Sequence, residues 1–350
     1  MKKLFTILAV AATLVSCAKD ETIAVNKGEA IQFGNAFVEN STRAAAATDP
    51  SYSTTTGKGV ALESFNVYGA VNGVNIFNGN LVEKKGAAYG DAWTLTGAKQ
   101  YWINGADYEF VAVVDGNKTV KVNETNVVVT STATNESGIP TSITYNSDGA
   151  TDLLCARVER KKDATTGNTV TSLVSFNFTH LLSKVMFSVK NTTAAAADNY
   201  RIVLTEAKIT DALASNTYNV GATSNWATVG QDYSKKVFTL DNLEVNSAAT
   251  QYHSKELLLL PGVNVGVTVK ANVQAKDSRN EWTTVSTMQK TFSNVLGANN
   301  TLVASQAYHF AVELGIGAEI QFTATTMPEW GNGNTHDSDG DTVNDYIPLQ

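Results

Sequence analysis

Few residues of this chain have the type and spacing that chemistry requires. Its four histidines and two cysteines fall in no catalytic pattern: there is no Gly-x-Ser-x-Gly elbow, no His-Glu-x-x-His pair and no phosphate-cradling glycine loop. His180, His253, His309 and His336 are scattered, and none pairs with another at metal-ligand spacing. His180 lies in an apolar, strand-like stretch and reads as a satisfied structural imidazole. Near the C-terminus Asp337, Asp339 and Asp341 alternate like the oxygen ligands of a calcium loop. The pattern then departs from such a loop, because its glycine is the fourth position rather than the sixth and the twelfth is Pro348, not glutamate. Trp93, Trp102, Trp226, Trp282 and Trp330 either line a glycan surface or cap a core. Cys155, alone in Asp152-Leu153-Leu154-Cys155-Ala156, is expected to be a buried, inert thiol. The expectation is a chain that is not an enzyme and takes no cofactor.

Two other residues stand where covalent processing happens. Lys2 and Lys3 precede an uncharged apolar run from Leu4 to Leu14, too short to span a bilayer, and Leu14-Val15-Ser16-Cys17 closes it. That ending resembles a bacterial lipobox, which makes residues 1–16 a removed signal and Cys17 the acylated mature terminus. Each buried methylene of an acyl chain contributes ~0.8 kcal/mol, so two or three chains anchor firmly. Ala18-Lys19-Asp20-Glu21 resembles the lysine-plus-acidic tag that sends lipoproteins to the outer face of an outer membrane; the plain alternative is a solvated tether. Arg43 is the second such residue, the only arginine before Arg157, set in the polar and small-residue stretch from Glu39 to Pro50 where proteolytic nicking concentrates.

The elements that carry these residues read as strands. Val263, Val265, Val267, Val269, Ala271, Val273 and Ala275 alternate with mostly polar residues. The same period of two runs through Val174, Phe176 and Phe178, through Tyr108, Phe110, Ala112 and Val114, through Tyr308, Phe310, Val312 and Leu314, and through Ile320, Phe322 and Ala324. Asn72-Gly73, Asp115-Gly116 and Gly167-Asn168 mark turns. Charged residues are only 17% and the net charge is −7, with no basic patch, which argues against nucleic acid as a partner. The body beyond the leader suits two all-β domains built as tandem antiparallel β-sandwiches. The polar stretch from Lys161 to Thr169 suggests residues 44–168 and 169–330 as the domains, followed by a tail over 331–350. No second apolar run approaches a membrane span, so the expected membrane contact is the lipid anchor alone.

Longer stretches resemble one family. Val174-Ser-Phe-Asn-Phe-Thr-His180-Leu-Leu-Ser-Lys184-Val-Met-Phe-Ser-Val189 resembles a segment of fimbrillin-like proteins, the Bacteroidales-type subunits of type V pili. Trp102 with Asn104-Gly-Ala-Asp-Tyr-Glu-Phe-Val-Ala-Val-Val resembles an aromatic strand of that family, and Tyr308-His-Phe-Ala-Val-Glu-Leu with Ile320-Gln-Phe-Thr-Ala and Trp330 resembles its closing strands. The resemblance implies a transthyretin-like sandwich fold and a fimbrial subunit, exported as a lipoprotein to the cell outer membrane, that supports adhesion or biofilm formation. It implies other fimbrial subunits as partners, a trypsin-like Arg-specific protease that removes a first strand, and a host or bacterial surface ligand. Carried onto this chain, residues 17–43 are the leader, the cut falls between Arg43 and Ala44, and Ile31, Phe33 and Phe37, with Asn35 interrupting their face, form the removable strand. A permanent first strand with a solvated Arg43 is the alternative. Val343, Ile347 and Leu349 are the candidate donor strand, weakened by Pro348; a plain tail and the calcium loop are the alternatives. The other function that stays open is a monomeric surface lipoprotein that binds glycans through Trp226 or Trp282.

Overall fold

A computed structural model of the chain describes residues 29–39, 64–85, 93–114, 129–161, 173–193, 199–221, 223, 225–240, 253–327 and 347–348. Every regular element among them is a strand. The first half holds β1 (Gln32–Glu39), β2 (Ser64–Val71), β3 (Val74–Lys84), β4 (Trp93–Leu95), β5 (Asp107–Val114), β6 (Val129–Thr134), β7 (Pro140–Asn146), β8 (Leu154–Lys161) and β9 (Leu173–His180). The second holds β10 (Ser183–Asn191), β11 (Tyr200–Leu213), β12 (Ser215–Asn219), β13 (Asn225–Trp226), β14 (Lys235–Thr239), β15 (His253–Leu259), β16 (Gly266–Lys276), β17 (Trp282–Phe292), β18 (Ala307–Leu314), β19 (Gln321–Met327) and β20 (Ile347–Pro348). Asn72 and Gly73 join β2 to β3 with φ of 46° and 76°, the left-handed pair that matches a hairpin's twist.

Four sheets result, ordered β1-β9-β8-β5-β2-β3-β4, β15-β10-β18-β19-β20, β14-β11-β16-β17 and β13-β12-β7-β6. All their pairings are antiparallel except two, β1 with β9 and β10 with β18. The seven-stranded sheet rolls until its edges meet: Ala30, just before β1, bridges Tyr101, beyond β4. Inside the roll lies a core of Phe33, Phe65, Phe77, Trp102, Phe110, Phe176 and Phe178 with aliphatic neighbours. The five-stranded sheet and the sheet containing β16 sandwich a second core that includes Val185, Phe187, Val267, Val269 and Phe310.

The outer face of the rolled sheet is not solvated. Tyr68, Ala70, Val111, Val113 and Cys155 point away from the first core and into the second. A strand buried on both faces needs continuous apolarity rather than alternation, and Phe110-Val111-Ala112-Val113-Val114 supplies it. β9 lies beyond the boundary expected at residue 169, yet it pairs within the first sheet. β7 from the first half pairs with β12 from the second. The two halves therefore share a sheet as well as a core.

The chain passes from one unit to the other at Leu181-Leu182, between β9 and β10. Phe176 and Phe178 enter the first core, whereas Leu181, Leu182, Val185 and Phe187 enter the second. The corner is held by Leu181 N to Leu153 O at 2.9 Å, Ser305 N to Leu182 O at 2.8 Å and the Trp226 indole N–H to Leu181 O at 2.7 Å. Buried His180 closes it through Nδ1, 2.5 Å from Asp152 Oδ2.

β10 and β18 are covered on both faces, so their outward polar groups are internally paired. The Lys184 ammonium meets Glu256 at 2.9 Å, and Ser188 Oγ hydrogen-bonds His309 Nε2. Burial pushes the His309 imidazole down to about 4. Unfolded, that ring titrates near 6.5, so between these values the unfolded chain binds the extra proton. Stability is thus full above that window and falls by roughly 2–3 kcal/mol as the pH drops through it towards 4. Urea unfolding at pH 7.5 and 4.5 should show this loss, and His309→Gln should lose correspondingly less between the two pH values.

Candidate functional site

The site with the most distinctive geometry is the seat of β1. The strand runs parallel to β9, with Gln32 opposite Leu173, Phe33 opposite Val174 and Gly34 opposite Ser175. Its N-terminal end is clamped from the other side, by Ile31 N to Gln100 O at 2.8 Å and Trp102 N to Glu29 O at 3.0 Å. β1 is therefore the stave that closes the roll.

The closure is aromatic. The Phe33 ring lies 5.4 Å from Phe77, 5.9 Å from Phe110, 6.0 Å from Phe176 and 6.4 Å from Phe65, edge-on to the first, second and fourth and stacked on Phe176. Such pairs contribute about 0.5–1.5 kcal/mol each beyond area burial. Ile31 and Phe33 are 5% and 4% exposed, as deep as the core residues of the neighbouring strands. Gly34 lets the Leu173 side chain close over the strand, since a Cβ there would sit 2.7 Å from a Leu173 methyl and push it aside. Trp102, edge-on to Tyr108 at 4.6 Å, seals the end of the roll, and its buried indole N–H has no hydrogen-bond partner among the described residues. An unmet buried donor costs roughly 1–3 kcal/mol.

The pairing of β1 with β9 shifts at Asn35, so that Ala36 and Val38 stand opposite Phe176 and Phe178 while Phe37 stands opposite exposed Asn177. Such a shift is what one inserted residue produces in a ladder.

Other expected residues are placed as follows. Cys17, Arg43, Ala44, Val343, Leu349, Asp337, Asp339 and Asp341 lie outside the described residues, as do His336 and Trp330. Ile347 and Pro348 pair antiparallel with Thr326 and Thr325 of β19, at the edge of the five-stranded sheet. Cys155 is buried and its thiol is pushed up to about 12 by desolvation. Among the described residues no three His, Cys, Asp or Glu side chains converge on a metal position. Trp93 packs on Phe65 at 5.3 Å and Trp226 on Tyr218 at 5.4 Å. Trp282 carries the Arg201 guanidinium 4.6 Å and the Lys276 ammonium 5.2 Å from its ring centre. The sequence offered no sign of the Asp152–His180 pair, whose partners are joined only by the corner.

The fimbrillin-like family profile matches residues 42–330. Among solved structures, a fimbrial protein from Bacteroides vulgatus superposes with a TM-score of 0.53 at 13% identity, covering 84% of this chain and 98% of its own. A candidate cell adhesion protein from Bacteroides uniformis matches with a TM-score of 0.47 at 18% identity, over 77% of this chain and 92% of that one. No curated protein matches.

Truncating the ring at the centre of the cage tests the seat of β1. Phe33→Ala should lower unfolding free energy by ~3–5 kcal/mol through lost burial and a cavity. Gln32→Ala, exposed beside it, should change it by less than ~0.5 kcal/mol in the same denaturant titration.

Proposed function

Because this chain belongs to the fimbrillin-like family, we propose that its fimbrial and adhesive role at the cell surface is that of a structural subunit of a type V fimbria, polymerised by strand exchange. The observation that carries the proposal is the seat of β1. One edge strand, joined to a single neighbour along its length, closes an entire aromatic core. Arg43 follows the last residue of that strand, Glu39, by four positions.

In this reading Cys17 carries the lipid that brings the precursor to the outer membrane surface. A trypsin-like protease cuts between Arg43 and Ala44. From then on β1 is held only by its hydrogen bonds to β9 and residues 100–102 and by burial of Ile31 and Phe33, at ~1.5–3 kcal/mol per side chain. A peptide held at that level can be displaced. Its departure leaves unpaired backbone groups on β9 above a phenylalanine-lined slot, which favours a replacement strand over water.

The replacement comes from another subunit's tail, with Val343, Ile347 and Leu349 as its apolar positions. Within its own chain that tail makes a two-residue pairing with β19, at Ile347 and Pro348. So short an edge pairing is easily released, and Pro348, lacking an N–H, adds no donor to it. The aromatic cage explains why the polymer would hold once formed: water cannot replace ring contacts.

Incubating the exported precursor with a trypsin-like protease should cut after Arg43 and produce ladders that resist SDS. Arg43→Ala should abolish both the cut and the ladder, and deletion of residues 343–350 should leave cut monomers. A clean cut after Arg43 that releases the leader but yields monomers alone would overturn strand exchange as the assembly mechanism.

A further inference from the structure

A second edge is built for pairing, and it lies far in sequence from β1. β17 is an eleven-residue strand at the margin of its sheet, paired with β16 on one side and with no other strand among the described residues. Its residues from Thr283 to Thr287 are exposed, Val285 by 57%, as are Gln289 and Thr291. Trp-Thr-Thr-Val-Ser-Thr-Met-Gln-Lys-Thr-Phe contains no proline, no glycine and one charge, and is rich in β-branched and aromatic residues. Long edges of this composition template pairing unless a protein blunts them. The opposite edge of the same sheet, β14, is five residues long and opens on Lys235 and Lys236.

The usual blunting devices are weak here. Lys290 is the one charged residue, and it is folded back on its own chain. Its ammonium reaches Glu319 at 2.6 Å and the Ile320 carbonyl at 3.3 Å, and lies 5.2 Å from the centre of the Phe292 ring. The bulge at Val285 bends only the start of the strand, because the register shift falls between the Ser286 and Thr284 pairings. From Ser286 to Phe292 the ladder is regular.

We propose that this free edge pairs with β17 of a second copy of the chain, antiparallel and centred on Gln289. Met288 and Phe292 pack against the core, so residues of even number share the inner face and Thr287, Gln289 and Thr291 the outer. Antiparallel self-pairing must match faces, which leaves few registers. Centring on Lys290 sets two ammonium groups opposite each other. Centring on Met288 or earlier draws the Val285 bulge into the ladder. Centring on Gln289 pairs Ser286 with Phe292, Thr287 with Thr291, Met288 with Lys290 and Gln289 with its own counterpart, with no like charges opposed. That register is self-complementary over seven residues, as a two-fold interface requires. One strand pair buries less than the ~1,200–2,000 Å² of a stable interface. Free copies therefore pair weakly, and pairing strengthens where copies are held side by side.

Single cysteines test the register in the full chain carrying Cys17→Ser, where the remaining thiol, Cys155, is buried and silent. In this register the two Gln289 Cα atoms face each other at about 4.5–5.5 Å, within reach of a disulfide. Under mild oxidation at high protein concentration Gln289→Cys should give a disulfide dimer at least ten times faster than Val237→Cys on β14. Thr287→Cys and Thr291→Cys should each stay slow alone and cross-link when mixed. Adding Gln289→Lys to both partners of that mixture should slow it at least tenfold while circular dichroism stays unchanged. Equal rates at all positions, or cross-linking of Gln289→Cys only to a different protein, would overturn the proposal. Neither outcome bears on cleavage at Arg43, which is read separately from SDS-resistant ladders.

Discussion

The first unit depends on one contact set, the packing of Phe33 among Phe65, Phe77, Phe110 and Phe176. A sheet that rolls onto its own core needs a final strand to keep water from the interior, and here that strand is β1. Its backbone is tied to β9 and, at one end, to residues 100–102. Side-chain burial, more than hydrogen-bond number, gives the strand its hold, since each net backbone hydrogen bond contributes only ~0.5–1.5 kcal/mol.

The seat of β1 is held in shape from outside. The rolled sheet does not stand alone, because Tyr68, Val111, Val113 and Cys155 on its outer face are embedded in the second core. The corner at Leu181-Leu182 is fixed by the Leu181 N–H donating to the Leu153 carbonyl, by Trp226 and Ser305 N–H groups donating to its own carbonyls and by the His180–Asp152 contact. β7 and β12 join the halves through a shared sheet. With strands β2, β5, β8 and β9 anchored in this way, the walls of the slot under β1 are fixed.

Edges organise the chemistry of this molecule more than any side-chain cluster does. β1 covers a core from an edge, β20 lies lightly on another edge, and β17 presents a third. Unpaired N–H and C=O groups at such margins are donors and acceptors awaiting another strand. The buried polar groups are arranged differently: Lys184 reaches the exposed Glu256 carboxylate, and Ser188 and His309 satisfy each other inside the second unit. They stabilise a scaffold, and no described cleft brings them to a substrate.

Much of the fold was legible from alternation alone. The period of two located β5, β9, β16, β18 and β19, and the Asn72-Gly73 pair located a hairpin, because strand faces and left-handed turns are decided by residues within a few positions. The alternation read through Tyr108, Phe110, Ala112 and Val114 missed that β5 is buried on both faces, because Val111 and Val113 enter the second core. The apolar spacing of Ile31 and Phe33, which enter the core, was also visible in the sequence. Alternation names a face, however, not a partner, a direction or a register. The parallel seating of β1 on β9, the register shift at Asn35, the placement of β9 before the crossing into the second unit and the sharing of a sheet by β7 and β12 all depend on contacts between residues far apart in the chain. Only tertiary structure decides those, because each is chosen by the total burial it permits rather than by the preferences of the residues it joins.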